Sequence, residues 1–342
     1  MLIIRPVETS DIEQLLLLAQ KVAPGITTFP PNRDVLEQKI IDSKKGFSGN
    51  PSVDCSDNYL MVLEDTSFDV PIIMGTAAVY ANIGKDIPFY TYKILTRTQY
   101  SYELGAKVTS NSLHLVNEFV GDTEIGTLVL DPDHRGGGYG KILAKCRYML
   151  IAQFKERFGK RIFAELRGWS DENFISPFWE SVGKHFFNGI SYEEADYLSA
   201  TTNNQFIADL MPDNPIYLEL LPENAQAVVG KPHPTGEPAL KMLFNEGFRY
   251  DEYVDIFDAG PTVHVPTDEM DTVKNSTLFS VETITNTEII GDKYLICNTS
   301  LNNFRVCLSE VTKSNSGLTI SESLAKAMQV KQGEQLRLYS IS

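Results

Sequence analysis

Apolar positions along the chain change period several times, and each change marks an element. Leu2-Ile3-Ile4 forms a short strand closed by Arg5-Pro6. Thr9, Ser10 and Asp11 supply helix-capping side chains with Glu13 in the first turn, and Ile12, Leu15, Leu16 and Ala19 then fall on one helical face. Arg33 to Asp42 fits a second helix, and the Gly-, Ser-, Pro- and Asp-rich stretch from Lys44 to Asp57 predicts a loop. Tyr59 to Glu64 and Ile72 to Tyr80 read as strands joined across the turn-rich segment Asp65 to Pro71, and Tyr90 to Val116 adds Tyr- and Thr-rich strands. Ile125 to Leu130 is a buried-type strand stopped by Asp131-Pro132. A helix from Tyr139 to Phe158 follows, with Leu143, Cys146, Leu150 and Phe154 on one stripe.

Beyond it the pattern predicts a strand from Arg161 to Leu166, a helix from Pro177 to Phe187, a strand from Phe206 to Met211, a helix from Pro238 to Glu246 stopped by Gly247, and a strand from Tyr253 to Phe257. After the turn at Asp258 to Pro261 the texture becomes short Thr- and Val-rich segments with one helix-like insert, Ser321 to Met328. Residues 262–342 therefore read as a small β-rich module after a main domain of residues 1–261. Phe178 to Gly183 and Met242 to Gly247 echo each other as an aromatic-rich helix before glycine. Two similar halves divided near 190–205 would explain the echo, and two ordinary helix C-caps explain it as well.

Composition narrows the class. A chain of 342 residues with 42% hydrophobic content can bury a large core. No apolar run approaches the ~20 residues of a membrane span, and the N-terminus lacks the basic-then-apolar form of a signal peptide. The net charge of −15 argues against nucleic acid and anionic membranes as partners. The four cysteines, Cys55, Cys146, Cys297 and Cys307, have neither disulfide-framework nor metal-ligand spacing. The expectation is a cytoplasmic protein with no metal and no permanently bound cofactor.

The segment Leu128-Val129-Leu130-Asp131-Pro132-Asp133-His134-Arg135-Gly136-Gly137-Gly138-Tyr139-Gly140-Lys141 carries the chemistry. A strand runs through a glycine loop into a helix, whose first backbone N–H groups lack partners and whose dipole favours anions. Glycines let those amides approach a diphosphate closely. No Gly-Lys-Ser/Thr closes the loop, and the glycine spacing is not that of a dinucleotide fold. Arg135, Gly138 and Gly140 instead have the Arg-x-x-Gly-x-Gly spacing of the GNAT acyl-CoA N-acyltransferases, and Ile4-Arg5-Pro6, the Tyr59–Tyr80 hairpin and Pro177 to Gly183 follow in that superfamily's order. The resemblance implies an α/β (α+β) fold: a GNAT-like mixed β-sheet flanked by helices, with the β-rich C-terminal module appended.

Ser176-Pro177-Phe178-Trp179, Ala208-Asp209-Leu210-Met211-Pro212, Pro215-Ile216-Tyr217, His233-Pro234, Glu246-Gly247-Phe248 and Asp255-Ile256-Phe257-Asp258 with Gly260-Pro261-Thr262 resemble the arginine N-succinyltransferase family. The likeness runs from Ile4 to Val306. It implies transfer of succinyl from succinyl-CoA, as co-substrate, to the α-amine of L-arginine, the first step of an ammonia-producing arginine catabolic route. Homo-oligomers, or heteromers with a homologous subunit, are both open.

Of five histidines, His233 is the most attractive, because Pro232 and Pro234 restrict its backbone. On the residues alone a surface-loop histidine is the simpler reading; the resemblance assigns His233 as proton donor. It also gives Leu128 as a contact for succinyl-CoA, and Leu130, on the same strand end, joins it with the loop residues Arg135, Gly136, Gly137, Gly138, Tyr139, Gly140 and Lys141. Glu165, Asp171, Asp255 and Asp258 are candidate partners for the guanidinium, and Arg167 for the succinyl carboxylate. Cys146, on the apolar stripe, reads as core, which favours direct attack in a ternary complex over a covalent cysteine intermediate. The competing readings are an acetyl-CoA-dependent N-acyltransferase acting on ornithine or another amine, and a non-catalytic CoA- or arginine-binding regulatory subunit.

Overall fold

The structure, a computed structural model, describes residues 1–342 apart from 23–25, 27, 50–56, 203 and 342. Cys55 lies outside the described residues. Strand β1 (Leu2–Pro6) leads into helices α1 (Ile12–Val22) and α2 (Arg33–Ser48), then strands β2 (Asn58–Asp65) and β3 (Ile72–Tyr80). The hairpin β4 (Thr91–Ser101) and β5 (Ala106–Val116) precedes β6 (Thr123–Leu130) and helix α3 (Tyr139–Gln153). Next come β7 (Arg161–Glu165), four short helices α4 (Pro177–Ser181), α5 (Gly183–Phe186), α6 (Tyr192–Thr201) and α7 (Gln205–Leu210), strand β8 (Ile216–Tyr217), helices α8 (Glu223–Gln226) and α9 (Glu237–Asn245), and strands β9 (Arg249–Val254) and β10 (Pro261–Pro266). The chain closes with α10 (Asp271–Asn275), β11 (Thr277–Thr285), β12 (Asp292–Asn298), β13 (Val306–Lys313), β14 (Leu318–Ser321), α11 (Glu322–Met328) and β15 (Gln335–Ser340).

These elements form two compact units, one of residues 1–82, 123–160 and 266–342, the other of residues 83–122 and 161–265. In the first, β1, β2, β3 and β6 pair antiparallel in that order. Their alternating residues Leu60, Val62, Ile73, Ala78 and Val129 bury against Leu15, Leu18 and Ala19 of α1 and Leu36 and Ile40 of α2. Gly75 of β3 lets α3 close on the sheet, since a Cβ there would meet Leu143 and the Val129 carbonyl. Strands β11 to β15 pair in a closed ring, β13 to β12, β15, β11, β14 and back to β13, so this module has no free edge among its strands. Residues Leu324 and Met328 of α11 plug its core.

In the second unit the strand order is β7, β10, β9, β4, β5, β8. Its core gathers Trp179, Phe187, Tyr192 and Phe257, with Trp179 and Phe187 stacked at 5.5 Å.

The local elements differ from the sequence pattern in several places. Helix α3 stops at Gln153 rather than Phe158, and strand β9 covers Arg249–Val254 rather than Tyr253 to Phe257. Helix α2 runs on to Ser48, into the start of the predicted loop, because Ser43, Gly46 and Phe47 face inward; residues 50–56 of that loop lie outside the described residues. Gly46 lies against the Asn58 backbone, where a Cβ would not fit, so the small residues here serve close packing rather than a turn. The predicted strand Phe206 to Met211 is instead helix α7. Ile207 on this helix and Met211, its C-terminal cap, are both buried. The helix predicted over Pro177 to Phe187 is two short helices broken at Val182, where the Gly183 backbone is drawn against the Trp179 ring.

Candidate active site

The first unit builds an anion cradle. Along β6 the pairing with β3 slips: Val129 faces Thr76, but Gly126 faces Ala78, so Thr127 and Leu128 share one place on the ladder. Thr127 takes a φ of 48°, a left-handed conformation that is costly for a β-branched residue. Thr76 Oγ1 donates to the Thr127 carbonyl at 3.1 Å and the Tyr80 hydroxyl meets Thr127 Oγ1 at 2.5 Å, which together hold the bulge. The step at Thr127-Leu128 is thereby left out of the ladder with β3. Leu128 and Leu130 are both half-buried.

Asp131 anchors the loop that follows. Its N–H donates to the Met74 carbonyl at 2.8 Å, its Oδ1 accepts the Asp133 N–H at 3.0 Å, and its Oδ2 accepts from Lys21 Nζ at 2.8 Å. Burial works against the Asp131 carboxylate, but Lys21 and the Asp133 N–H outweigh it and hold the group below its usual range. Arg135 to Gly138 are exposed. Gly136 and Gly138 adopt φ of 94° and 76°, and a Cβ at either would meet nothing within 4 Å. Gly138 caps α3, accepting from Lys141 N–H at 3.1 Å and Ile142 N–H at 3.4 Å. Among the described residues none of the backbone N–H groups from Gly136 to Gly140 donates to another backbone group. The loop is thus open and left-handed at two glycines, with its amides unspent. Lys141 is exposed on the first turn, and the Tyr139 ring lies over Gly137.

The second unit builds a charged centre. Past β7 the chain runs through Arg167 and Gly168 beside the turn from Asp255 to Gly260. Gly168 N–H donates to Asp258 Oδ2 at 2.7 Å, the Tyr192 hydroxyl donates to the same oxygen at 2.8 Å, and Gly260 N–H donates to Oδ1 at 2.8 Å. A Cβ on Gly168 would run into Asp258, so glycine is required by this approach. Asp255 Oδ1 accepts the N–H groups of Phe257 at 2.7 Å and Asp258 at 2.9 Å. Burial, with Asp258 beside it, pushes the Asp255 carboxyl well up. The His233 loop is pinned to the same place: His233 N–H donates to the Arg167 carbonyl at 2.8 Å and Gly230 N–H to the Ala259 carbonyl at 2.9 Å.

His233 Nδ1 lies 2.7 Å from Thr235 Oγ1 and 3.3 Å from the Thr235 N–H. With a proton on Nδ1, the hydroxyl accepts it and Nε2 offers a lone pair; with the proton on Nε2, Nδ1 accepts from Thr235. Desolvation and the Arg167 charge lower the imidazole below the ordinary histidine value, with Asp258 opposing. Cys146 is fully buried and its thiol is pushed up to about 12, so it has no nucleophilic character at neutral pH. Among the described residues no His, Cys, Asp and Glu side chains gather as a metal-binding group, and no helix is long and apolar enough to cross a membrane.

Residues 2–272 match the family model described as arginine N-succinyltransferase beta subunit, and residues 278–339 match the model of that subunit's C-terminal domain. The chain belongs to the arginine N-succinyltransferase family. It is 37% identical over 341 residues to the arginine N-succinyltransferase subunit beta of Pseudomonas aeruginosa, covering 100% of this chain and 98% of that one. It is 38% identical over 343 residues to the arginine N-succinyltransferase of Yersinia enterocolitica, with the same coverage. The solved arginine/ornithine succinyltransferase subunit AI from Pseudomonas aeruginosa superposes with a TM-score of 0.87 at 30% identity, over 100% of this chain and 99% of that one. The mixed α/β fold is common to both.

Within this arginine N-succinyltransferase framework, Leu128 and Leu130, Arg135, the glycines, Tyr139 and Lys141 fall together in the first unit on the β6–α3 connection. His233, Arg167, Asp255 and Asp258 fall together in the second, while Glu165 at the end of β7 accepts from the Thr262 hydroxyl at 3.3 Å. Two carboxyls that the sequence did not single out are strongly perturbed. Burial pushes Glu124 on β6 up to about 7, with Lys39 opposing, and burial together with Asp258 pushes Asp196 on α6 up to about 7. A short polar residue inside a helix or strand carries no sequence mark of the burial that perturbs it.

Proposed function

We propose that this member of the family transfers the succinyl group of succinyl-CoA to the α-amine of L-arginine. The observation that carries the reading is the run of N–H groups from Gly136 to Gly140, exposed as far as Gly138, unspent on any backbone carbonyl among the described residues and set at the start of a helix. Such a cradle fits a diphosphate. Arg135 and Lys141 would add charge toward the phosphates, and the bulge at Leu128 would offer backbone groups to the pantetheine amides. The amine nitrogen attacks the thioester carbonyl, the tetrahedral intermediate forms, and the C–S bond breaks. His233 Nε2 takes the proton that the amine nitrogen loses and returns it to the CoA sulfur. The products are N-succinylarginine and CoA. The burial of Cys146 speaks against a covalent intermediate at that cysteine and so favours direct attack. Assembly with copies of itself or with a homologous subunit fits the subunit wording of the relatives' names, and a cytoplasmic location belongs to the same proposal.

Mixing the protein with succinyl-CoA and arginine should release free thiol. Release with acetyl-CoA and none with succinyl-CoA would reject the acyl assignment. Ornithine belongs in the acceptor panel, since the solved Pseudomonas aeruginosa relative is named for both amino acids. A thermal shift with CoA and arginine but no thiol release would favour the regulatory-subunit reading.

Thr235 should matter through His233. Thr235→Val removes the hydroxyl 2.7 Å from Nδ1, so the ring loses its orientation and its acceptor. We expect kcat to fall roughly 10-fold, in line with the ~1.5–3 kcal/mol of a charge-assisted hydrogen bond, with thermal stability unchanged. Steady-state kinetics and a melting curve check this; an unchanged kcat would detach Thr235 from the mechanism.

A further inference from the structure

The second unit holds a charge arrangement that the proton chemistry of His233 does not use. Asp196 lies on α6 one helical turn after Tyr192, so the two side chains share a face. The Tyr192 hydroxyl is spent on Asp258. Asp258 in turn is filled by Gly168, Gly260 and Tyr192, and Asp255 Oδ1 by two backbone amides. Among the described residues Asp196 alone of these carboxylates makes no hydrogen bond or ion pair, although it is half-buried.

The Arg167 guanidinium, in the same electrostatic neighbourhood, is also unspent. Its Nε is buried without a hydrogen-bond partner, and the group lies 5.2 Å from the centre of the Phe174 ring rather than on a carboxylate. A carboxyl without a hydrogen bond or ion pair and a guanidinium off any carboxylate, held in one centre and each half-buried, complement a ligand that carries both charges. An amino acid with a cationic side chain is such a ligand.

We propose that Asp196 receives the cationic side-chain end of the acceptor amino acid, as the residue that selects a charged acceptor over a neutral one of the same shape. This rests on the acyl-transfer reading above. A guanidinium would satisfy the Asp196 oxygens with paired N–H groups, and Arg167 would remain free for a substrate carboxylate.

The groups facing Asp196 are Asp258 and Glu193, which disfavour its charge, and Arg167, which favours it; Tyr192 and Asp255 feel it in return, and His233 shares its neighbours Arg167 and Asp258. With its carboxyl at about 7 in the free protein, Asp196 must give up a proton to hold a cation, so arginine binding should release protons and weaken as pH falls below 7. The folded-state value lies above that of an unfolded aspartate. The folded protein therefore holds more protons between about pH 4 and 7. Stability contributed by the neutral form is present below that window and is lost as pH rises through it. An Asn at this position should then melt higher than wild type at pH 8 and by a smaller margin at pH 5, the mark of a residue kept at a cost to stability.

The test compares wild type with Asp196→Asn, using calorimetric binding and thiol release for arginine and for citrulline, the neutral ureido isostere. The expected result is that the Asn variant loses ~30-fold in arginine affinity or KM, as for a charge-assisted contact, while citrulline is handled as by wild type and the proton release disappears. Undiminished arginine binding by the variant, or an equal loss for both ligands, would overturn this assignment while leaving acyl transfer standing. Absence of arginine binding and of thiol release in wild type would overturn acyl transfer itself.

Discussion

Replacing His233 with glutamine lowers kcat by roughly 100- to 10,000-fold, the span that a positioned proton-transfer group contributes. Glutamine keeps hydrogen-bonding capacity at the position but cannot carry a proton through a reaction. The backbone contact that pins the loop, His233 N–H to the Arg167 carbonyl, survives the change, so the melting temperature should hold. The pH dependence gives a second signature. Desolvation and Arg167 keep the imidazole below the ordinary histidine value, so the ring is neutral through neutral pH and can accept the amine's proton there. The kcat of the wild type, measured with both substrates saturating, should therefore fall on the acid side only below about 6.5, and that limb should vanish in the variant. A kcat within about threefold of wild type at every pH would remove His233 from the reaction, since that is far less than a general acid–base group supplies.

Much of this was legible in the chain itself. The strand at Ile125 to Leu130, the glycine loop and the helix at Tyr139 stand where hydrophobic period and turn chemistry placed them, because strong alternation and a run of glycines leave few alternatives. The ring-like C-terminal module was legible only as a texture of short strands; its closure depends on the parallel pairing of β11 with β14, which no local pattern encodes. Phe206 to Met211 misled for a local reason: a short apolar segment suits a strand or one buried helix turn equally, and burial against the aromatic core decided it. Gly46 misled in another way, reading as loop when its smallness serves packing.

The charged centre shows why sequence reasoning about ligands stops where it does. Asp255 and Asp258 stood in the family-like blocks and drew attention as carboxylates, and the structure shows what their oxygens do: they tie Gly168, Gly260, Phe257, Asp258 and Tyr192 into one turn. Asp196 drew none, because its burial comes from tertiary packing around α6. A carboxylate that organises backbone and one that waits for a ligand look alike as letters; they differ in how many donors already fill them.

The glycine loop makes the other large expectation. Gly138→Val should raise the KM for succinyl-CoA on the order of 100-fold and leave kcat at saturating donor much less affected. Gly138 sits at φ 76° as the cap of α3, where an L-residue costs ~1–2 kcal/mol and a β-branched one more. Relief of that strain means rotating the peptides on either side, and those peptides carry the N–H groups proposed to meet the diphosphate. The side chain itself has room, with nothing within 4 Å of a Cβ, so the loss should appear in donor binding rather than as misfolding, and the melting temperature should drop by only a few degrees. Gly137→Ala supplies the contrast. Gly137 is not left-handed; its added methyl would sit 2.6 Å from the Tyr139 ring, a half-buried side chain that can swing aside, so its effect on KM should be much smaller. If Gly138→Val bound succinyl-CoA like wild type in a titration, the amides of this loop would not be what holds the donor, and the acyl-CoA reading would lose its structural basis.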